Sequence, residues 1–105
     1  MTIAAELPEL AGRRILGRLD RLLVTPERVL AVDFKSNRAV PARPEEVPEG
    51  ILRQMGAYRA ALGRTFPGRD VATAILWTHA ARLMPLPDAL VDAALARAAA
   101  GARFP

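Results

Sequence analysis

The sequence has no cysteine, one histidine and one lysine. Without a thiol there is no disulfide framework, no cysteine-ligated zinc site and no cysteine nucleophile. The single histidine, His79, follows the apolar run 71–78 and reads as a surface or loop residue; alone it cannot build a His-rich metal centre. No Ser/His/Asp arrangement of hydrolase type is spelled out. No apolar run approaches the ~18 residues of a membrane span. Met1 to Leu10 has no basic stretch followed by an apolar core, so no secretory leader is expected. The Gly-x-x-x-x-Gly-Lys-Ser/Thr loop of a P-loop motor is also missing. These absences point to a soluble cytoplasmic protein.

What remains is 105 residues, one domain spanning 1–105, with 51% hydrophobic residues for a core. Lys+Arg number 15 against 11 Asp+Glu, for a net charge of +4. All but one of the basic residues are arginine, whose planar fork suits phosphate. The abundant Ala, Gly and Pro fit a high-GC genome, which accounts for the arginine count better than a nucleic-acid patch does. The lone Lys35 is more informative: where arginine fills every other basic position, a retained lysine suggests a task arginine cannot do.

The first half reads as strands. Ile3 to Leu10 is a weak one, interrupted by Pro8. Arg13 to Val24 is stronger, with Ile15, Leu19 and Leu23 on one face. Thr25-Pro26-Glu27-Arg28 reads as a tight turn into a strand from Val29 to Lys35, where Val29, Ala31, Asp33 and Lys35 share one face. Pro41, Pro44 and Pro48 make Asn37 to Pro48 a loop. A helix is expected from Pro48 to Leu62 on an Ile51, Met55, Tyr58, Leu62 stripe, ended by Gly63. Gly50 and Gly56 weaken it and give room for close packing. Val71 to Thr78 is apolar on both faces, as a central strand is, and Trp77 belongs to its core face. Arg82 to Leu86, with Pro85, reads as a short edge strand. A second helix runs from Pro87 to Ala100, with Gly101 past its end. The order predicts an α/β fold: a mixed central sheet flanked by helices.

Asp20, Asp33 and Lys35 stand out chemically. Asp33 and Lys35 point the same way, and a hairpin turning near Pro26 sets Asp20 roughly opposite Asp33. Two carboxylates are hard oxygen ligands of the kind Mg²⁺ takes, and a lysine beside them can orient a water or offset developing negative charge. The plainer reading is a solvated cross-strand ion pair. Gln54 and Tyr58, four apart on the next helix, add an amide without a packing role and a hydroxyl with a stacking face; on the apolar stripe alone the tyrosine reads as core.

The ordered set Gly17-Arg18-Leu19-Asp20-Arg21-Leu22, Val32-Asp33-Phe34-Lys35-Ser36-Asn37 and Gln54-x-x-x-Tyr58 resembles the RecB-like nucleases of the PD-(D/E)xK superfamily. The C-terminal nuclease domain of AddA-type helicase-nucleases, which process double-strand breaks, is especially similar. The resemblance spans nearly the whole chain. It implies a restriction-endonuclease-like core and Mg²⁺ (or Mn²⁺)-dependent hydrolysis of DNA. Asp20 and Asp33 would be the metal-binding acids, joined by the Phe34 backbone carbonyl. Lys35 would be the catalytic lysine, and Gln54 and Tyr58 would position DNA or the lysine. Arg38 and Arg43 are candidates for DNA phosphate. Partners implied are DNA, the helicase part of a larger protein and a second subunit of an AddAB-type complex; self-association is left open. Members of the family carry a helix ahead of the first core strand that often brings a further His or Glu. This chain is expected to begin at or just before that strand, as a C-terminal piece or a truncated copy. Glu6 resembles an acidic residue of the first family strand. The alternative is a catalytically inactive DNA-binding or interaction remnant of the same fold.

Overall fold

A computed structural model describes the backbone of residues 2–6 and 14–102 and the side chains of residues 19–101. Strand β1 (Thr2–Glu6) pairs antiparallel with β2 (Arg14–Arg18), from Thr2↔Arg18 to Glu6↔Arg14. The expected continuation of β1 to Leu10 lies outside the described residues. A second sheet holds four strands in the order β3-β4-β5-β6: β3 (Arg21–Val24), β4 (Arg28–Lys35), β5 (Asp70–Trp77) and β6 (Arg82–Leu86). β3 and β6 run antiparallel to their neighbours, whereas β4 and β5 are parallel. A parallel pair requires a crossover; here it contains a short 3-10 turn (Pro44–Glu46) and helix α1 (Glu49–Thr65). Helix α2 (Asp88–Ala102) follows β6. The mixed sheet with two helices is the α/β architecture expected.

α1 packs on β4 and β5, and α2 packs on α1. Val29, Ala31, Val71, Ile75 and Trp77 face a core completed by Leu52, Met55, Tyr58, Val91 and Leu95. The helices meet at Gly56, where a Cβ would collide with the Val91 carbonyl oxygen. Among the described residues, no helix is long and apolar enough to cross a membrane.

Three details differ from the sequence reading. The strand expected over 13–24 is broken at Leu19 and Asp20, and its phase changes there: Leu19 is fully buried, while Leu23 is 51% exposed and Leu22 turns to the core. α1 runs through Gly63, because the hydrogen-bond ladder continues with the Phe66 N–H donating to the Leu62 carbonyl. The ~1 kcal/mol that a helical glycine costs is outweighed by the buried Ala61 and Leu62 beside it. α2 likewise continues through Gly101, behind the helix-favouring run 98–100.

Candidate active site

The β3–β4 register is fixed by the Thr25 turn, in which the Thr25 N–H donates to the Arg28 carbonyl and the Arg28 N–H to Thr25 Oγ1. Counting back from Val24↔Val29 to Arg21↔Val32, the next positions along the two strands are Asp20 and Asp33. Regular pairing stops there. The next hydrogen-bonded pair of a continuing ladder would set the Phe34 N–H against the Leu19 carbonyl; instead that N–H donates to Asp20 Oδ2 at 2.7 Å. Asp20 thus substitutes its side chain for a strand bond, which explains the break and the phase change. The Phe34 carbonyl, on the same edge of β4 as its N–H, projects to the Asp20 side. The Phe34 ring is on the other face from Asp33 and is 41% exposed.

Asp33 follows Val29 and Ala31 on the core face and is only 6% exposed. Lys35, two residues on, brings Nζ to 2.9 Å from Asp33 Oδ2. That contact is an ion pair made to an oxygen that is itself buried. Burial pushes the Asp33 carboxyl up; the Asp20 carboxyl beside it pushes the same way, while Lys35 pulls it down. The end of β4 is held by Thr78, whose N–H and Oγ1 both donate to the Lys35 carbonyl, at 2.8 and 3.2 Å. Thr78 was not singled out in the sequence; its signal is a hydroxyl closing the apolar run 71–78.

Two adjoining carboxylates, one of them buried, form a site for a hard cation, since carboxylate oxygens are the ligands such ions take. No group of three or more His, Cys, Asp or Glu gathers among the described residues. Two carboxylates still fit Mg²⁺, which keeps several waters and takes one or two carboxylates plus substrate phosphate oxygens. Glu6 lies at the end of β1, and its side chain is outside the described residues.

Gln54 and Tyr58 are one turn apart on α1, where Gln54 Nε2 donates to Tyr58 Oη at 2.9 Å. Tyr58 is 1% exposed and part of the core, so packing and a polar contact coexist in one side chain. Gln54 is exposed. The structure thus gathers Asp20, Asp33, Phe34 and Lys35 at one strand end and joins Gln54 to Tyr58 on α1. Arg38 and Arg43 stand exposed on the loop after β4, and Arg43 Nε donates to Glu46 Oε2 at 3.2 Å. His79 is exposed in the turn after β5, and Trp77 is 1% exposed in the core, both as expected.

The profile of the PD-(D/E)XK nuclease superfamily matches residues 1–102. No curated protein and no solved structure matches the chain. The chain belongs to the PD-(D/E)XK nuclease superfamily, whose members generally use divalent metal ions.

Proposed function

We propose that this chain is a metal-dependent DNA nuclease domain of RecB/AddA type, working in double-strand break repair and recombination. The observation that carries the reading is the convergence of Asp20 and the buried Asp33 with Lys35 at the end of β4. Asp33-Phe34-Lys35 supplies the (D/E)XK of the superfamily's name, and Asp20 its leading acid, with Leu19 where the name has proline. Asp20 and Asp33 would hold Mg²⁺ or Mn²⁺, together with the Phe34 carbonyl. Such an ion, when bound, polarises a phosphodiester oxygen and lowers the pKa of a bound water.

The chain's own residues do the rest. Lys35, a compact cation held against Asp33, orients the attacking water and offsets the charge developing on the phosphate. Asp20 keeps its orientation through the Phe34 N–H. Gln54 presents its amide to DNA from α1, steadied by the core-anchored Tyr58. Arg38 and Arg43 contact backbone phosphates from the loop. The same reading makes the helicase part of a larger protein and a second AddAB-type subunit the partners, in the cytoplasm.

A second reading, a DNA-binding remnant without catalysis, is supported by the 2.9 Å Lys35–Asp33 ion pair, in which the two charges compensate each other without a metal. The deciding experiment incubates labelled single-stranded DNA with the chain in Mg²⁺ or Mn²⁺, beside Asp33→Ala and Lys35→Ala. Cleavage lost in both variants, with circular dichroism unchanged, is the expected result. Cleavage by either variant at the wild-type rate overturns the residue assignment. Salt-sensitive DNA binding without cleavage by the wild type selects the remnant.

A further inference from the structure

Beside the Lys35 strand end lies a cavity of about 320 Å³ that the proposed chemistry does not use. Its wall includes Asn37, Ala39, Val40, Pro41 and Glu46 from the loop after β4, and Trp77 from β5. Trp77 is the register partner of Lys35, and the Thr78 bonds to the Lys35 carbonyl lock the two strand ends together. The cavity is therefore built onto the same rigid element as the candidate active site.

Its chemistry is specific. The Trp77 indole is 1% exposed, and its N–H is buried with no hydrogen-bond partner. Buried donors are normally paired, and an orphan asks for an explanation. Asn37 adds an amide that both donates and accepts. Glu46 is held by Arg43 through Oε2, and Oε1 takes no bond among the described residues. Ala39, Val40 and Pro41 make the remaining wall apolar. The loop is fixed in turn by Arg82, which donates to the carbonyls of Pro41 and Ala42 at 3.4 and 2.8 Å. Small-molecule sites are apolar clefts of roughly 300–1,000 Å³ with a few placed polar groups. This one stands at the small end, with Arg38 and Arg43 exposed on the same loop.

We propose that the cavity lined by Asn37, Glu46 and Trp77 receives one unstacked nucleobase of the DNA strand entering the candidate active site, with preference for a base that bears an exocyclic amine. A flat heteroaromatic ring meets the apolar wall. Its ring or carbonyl acceptors take the Asn37 amide, its amine donates to Glu46, and Trp77 lies beneath as part of the cavity wall. The sugar-phosphate stays outside, beside the two arginines. The assignment of DNA as the polymer rests on the nuclease reading, whereas the base chemistry rests on the cavity alone.

Trp77 is the only tryptophan in the chain, so its fluorescence reports on this wall. The experiment titrates dCMP, dTMP and deoxyribose 5-phosphate into the full chain in EDTA, where no cleavage occurs, and repeats dCMP with Asn37→Ala and Glu46→Ala. Both substitutions are at exposed positions and spare the carboxylate site. The expected result is a saturable emission change with dCMP, a weaker one with dTMP and none with deoxyribose 5-phosphate. Each variant should raise the half-saturation for dCMP roughly fivefold, the loss of one hydrogen bond. No change with either nucleotide, an equal response to deoxyribose 5-phosphate, or wild-type titrations in both variants would overturn the proposal. A dCMP response in a chain that never cleaves DNA removes the nuclease reading and leaves the cavity; cleavage with a silent Trp77 does the reverse.

Discussion

Asp20 accepts the Phe34 N–H at 2.7 Å, and this bond, in place of strand pairing, holds the Asp20 carboxylate beside Asp33. Asp20 acts on its neighbour by hydrogen bond and by charge, both raising the Asp33 pKa. Asp20→Asn keeps an oxygen to accept the N–H but removes the charge. The Asp33 carboxyl should then titrate at lower pH, as followed by carbon NMR, with the fold intact. An unmoved midpoint would show that the two carboxyls do not interact. Asp20→Ala, which loses the acceptor as well, should be less stable than Asp20→Asn by about 1 kcal/mol.

Burial is the first cause of the raised Asp33 carboxyl, and that fixes a sign for stability against pH. Between the unfolded value near 3.8 and the higher folded one, the native state binds more protons than the unfolded chain. Stability therefore falls as pH rises through that window, and the deficit persists at neutral pH. Asp33→Asn, neutral and of the same shape, should melt at a higher temperature than wild type near pH 7. The two melting curves should converge in acid, below the unfolded value. A wild type more stable than Asp33→Asn near pH 7 would mean that attraction to Lys35 exceeds the cost of burial.

The turn at Thr25-Pro26 made the Asp20–Asp33 juxtaposition legible in the sequence, because a hairpin's register follows from its turn. β4, β5 and both helices were legible for a related reason: their apolar spacing matches the faces they bury. The change of phase between Leu19 and Leu23 was not. Period-two counting assumes an unbroken ladder, and the ladder breaks where the Asp20 side chain takes a backbone donor. Gly63 misled similarly, since a local stop signal of about 1 kcal/mol yields to tertiary burial. The Gln54–Tyr58 contact could be read from helical spacing, whereas the cavity at Trp77 depends on a loop path that no periodicity encodes.

Gly56 has its α-carbon against the backbone of α2. An added methyl would meet the Val91 carbonyl oxygen and carbon and the Leu95 Cβ, atoms that cannot rotate away. Alanine gains ~1 kcal/mol of helix propensity, but forcing the helices apart in a close-packed core costs more, typically 1–3 kcal/mol and occasionally beyond. Gly56→Ala should thus lower the urea midpoint, while Gly63→Ala, with nothing within 4 Å of its added methyl, should raise it. A stabilised Gly56→Ala would refute the close approach of α1 and α2.

Arg59 joins three elements through one guanidinium. Nε donates to the Val71 carbonyl of β5 at 3.0 Å, Nη1 to both Asp92 oxygens at 3.0 and 2.7 Å, and Nη2 lies 3.2 Å from Asp88. A lysine supplies one charge but not the planar fork, so it cannot reach α2 and the β5 carbonyl together. Arg59→Lys should be destabilising by roughly 1–2 kcal/mol. Salt separates the two parts of the effect. In about 1 M NaCl, where the Debye length falls to ~3 Å, the exposed pairs to Asp88 and Asp92 weaken while the bond to the Val71 carbonyl persists. The gap between wild type and Arg59→Lys should therefore narrow but not close. A gap that vanishes in high salt would assign the whole effect to the ion pairs and none to the anchoring of α1 on β5.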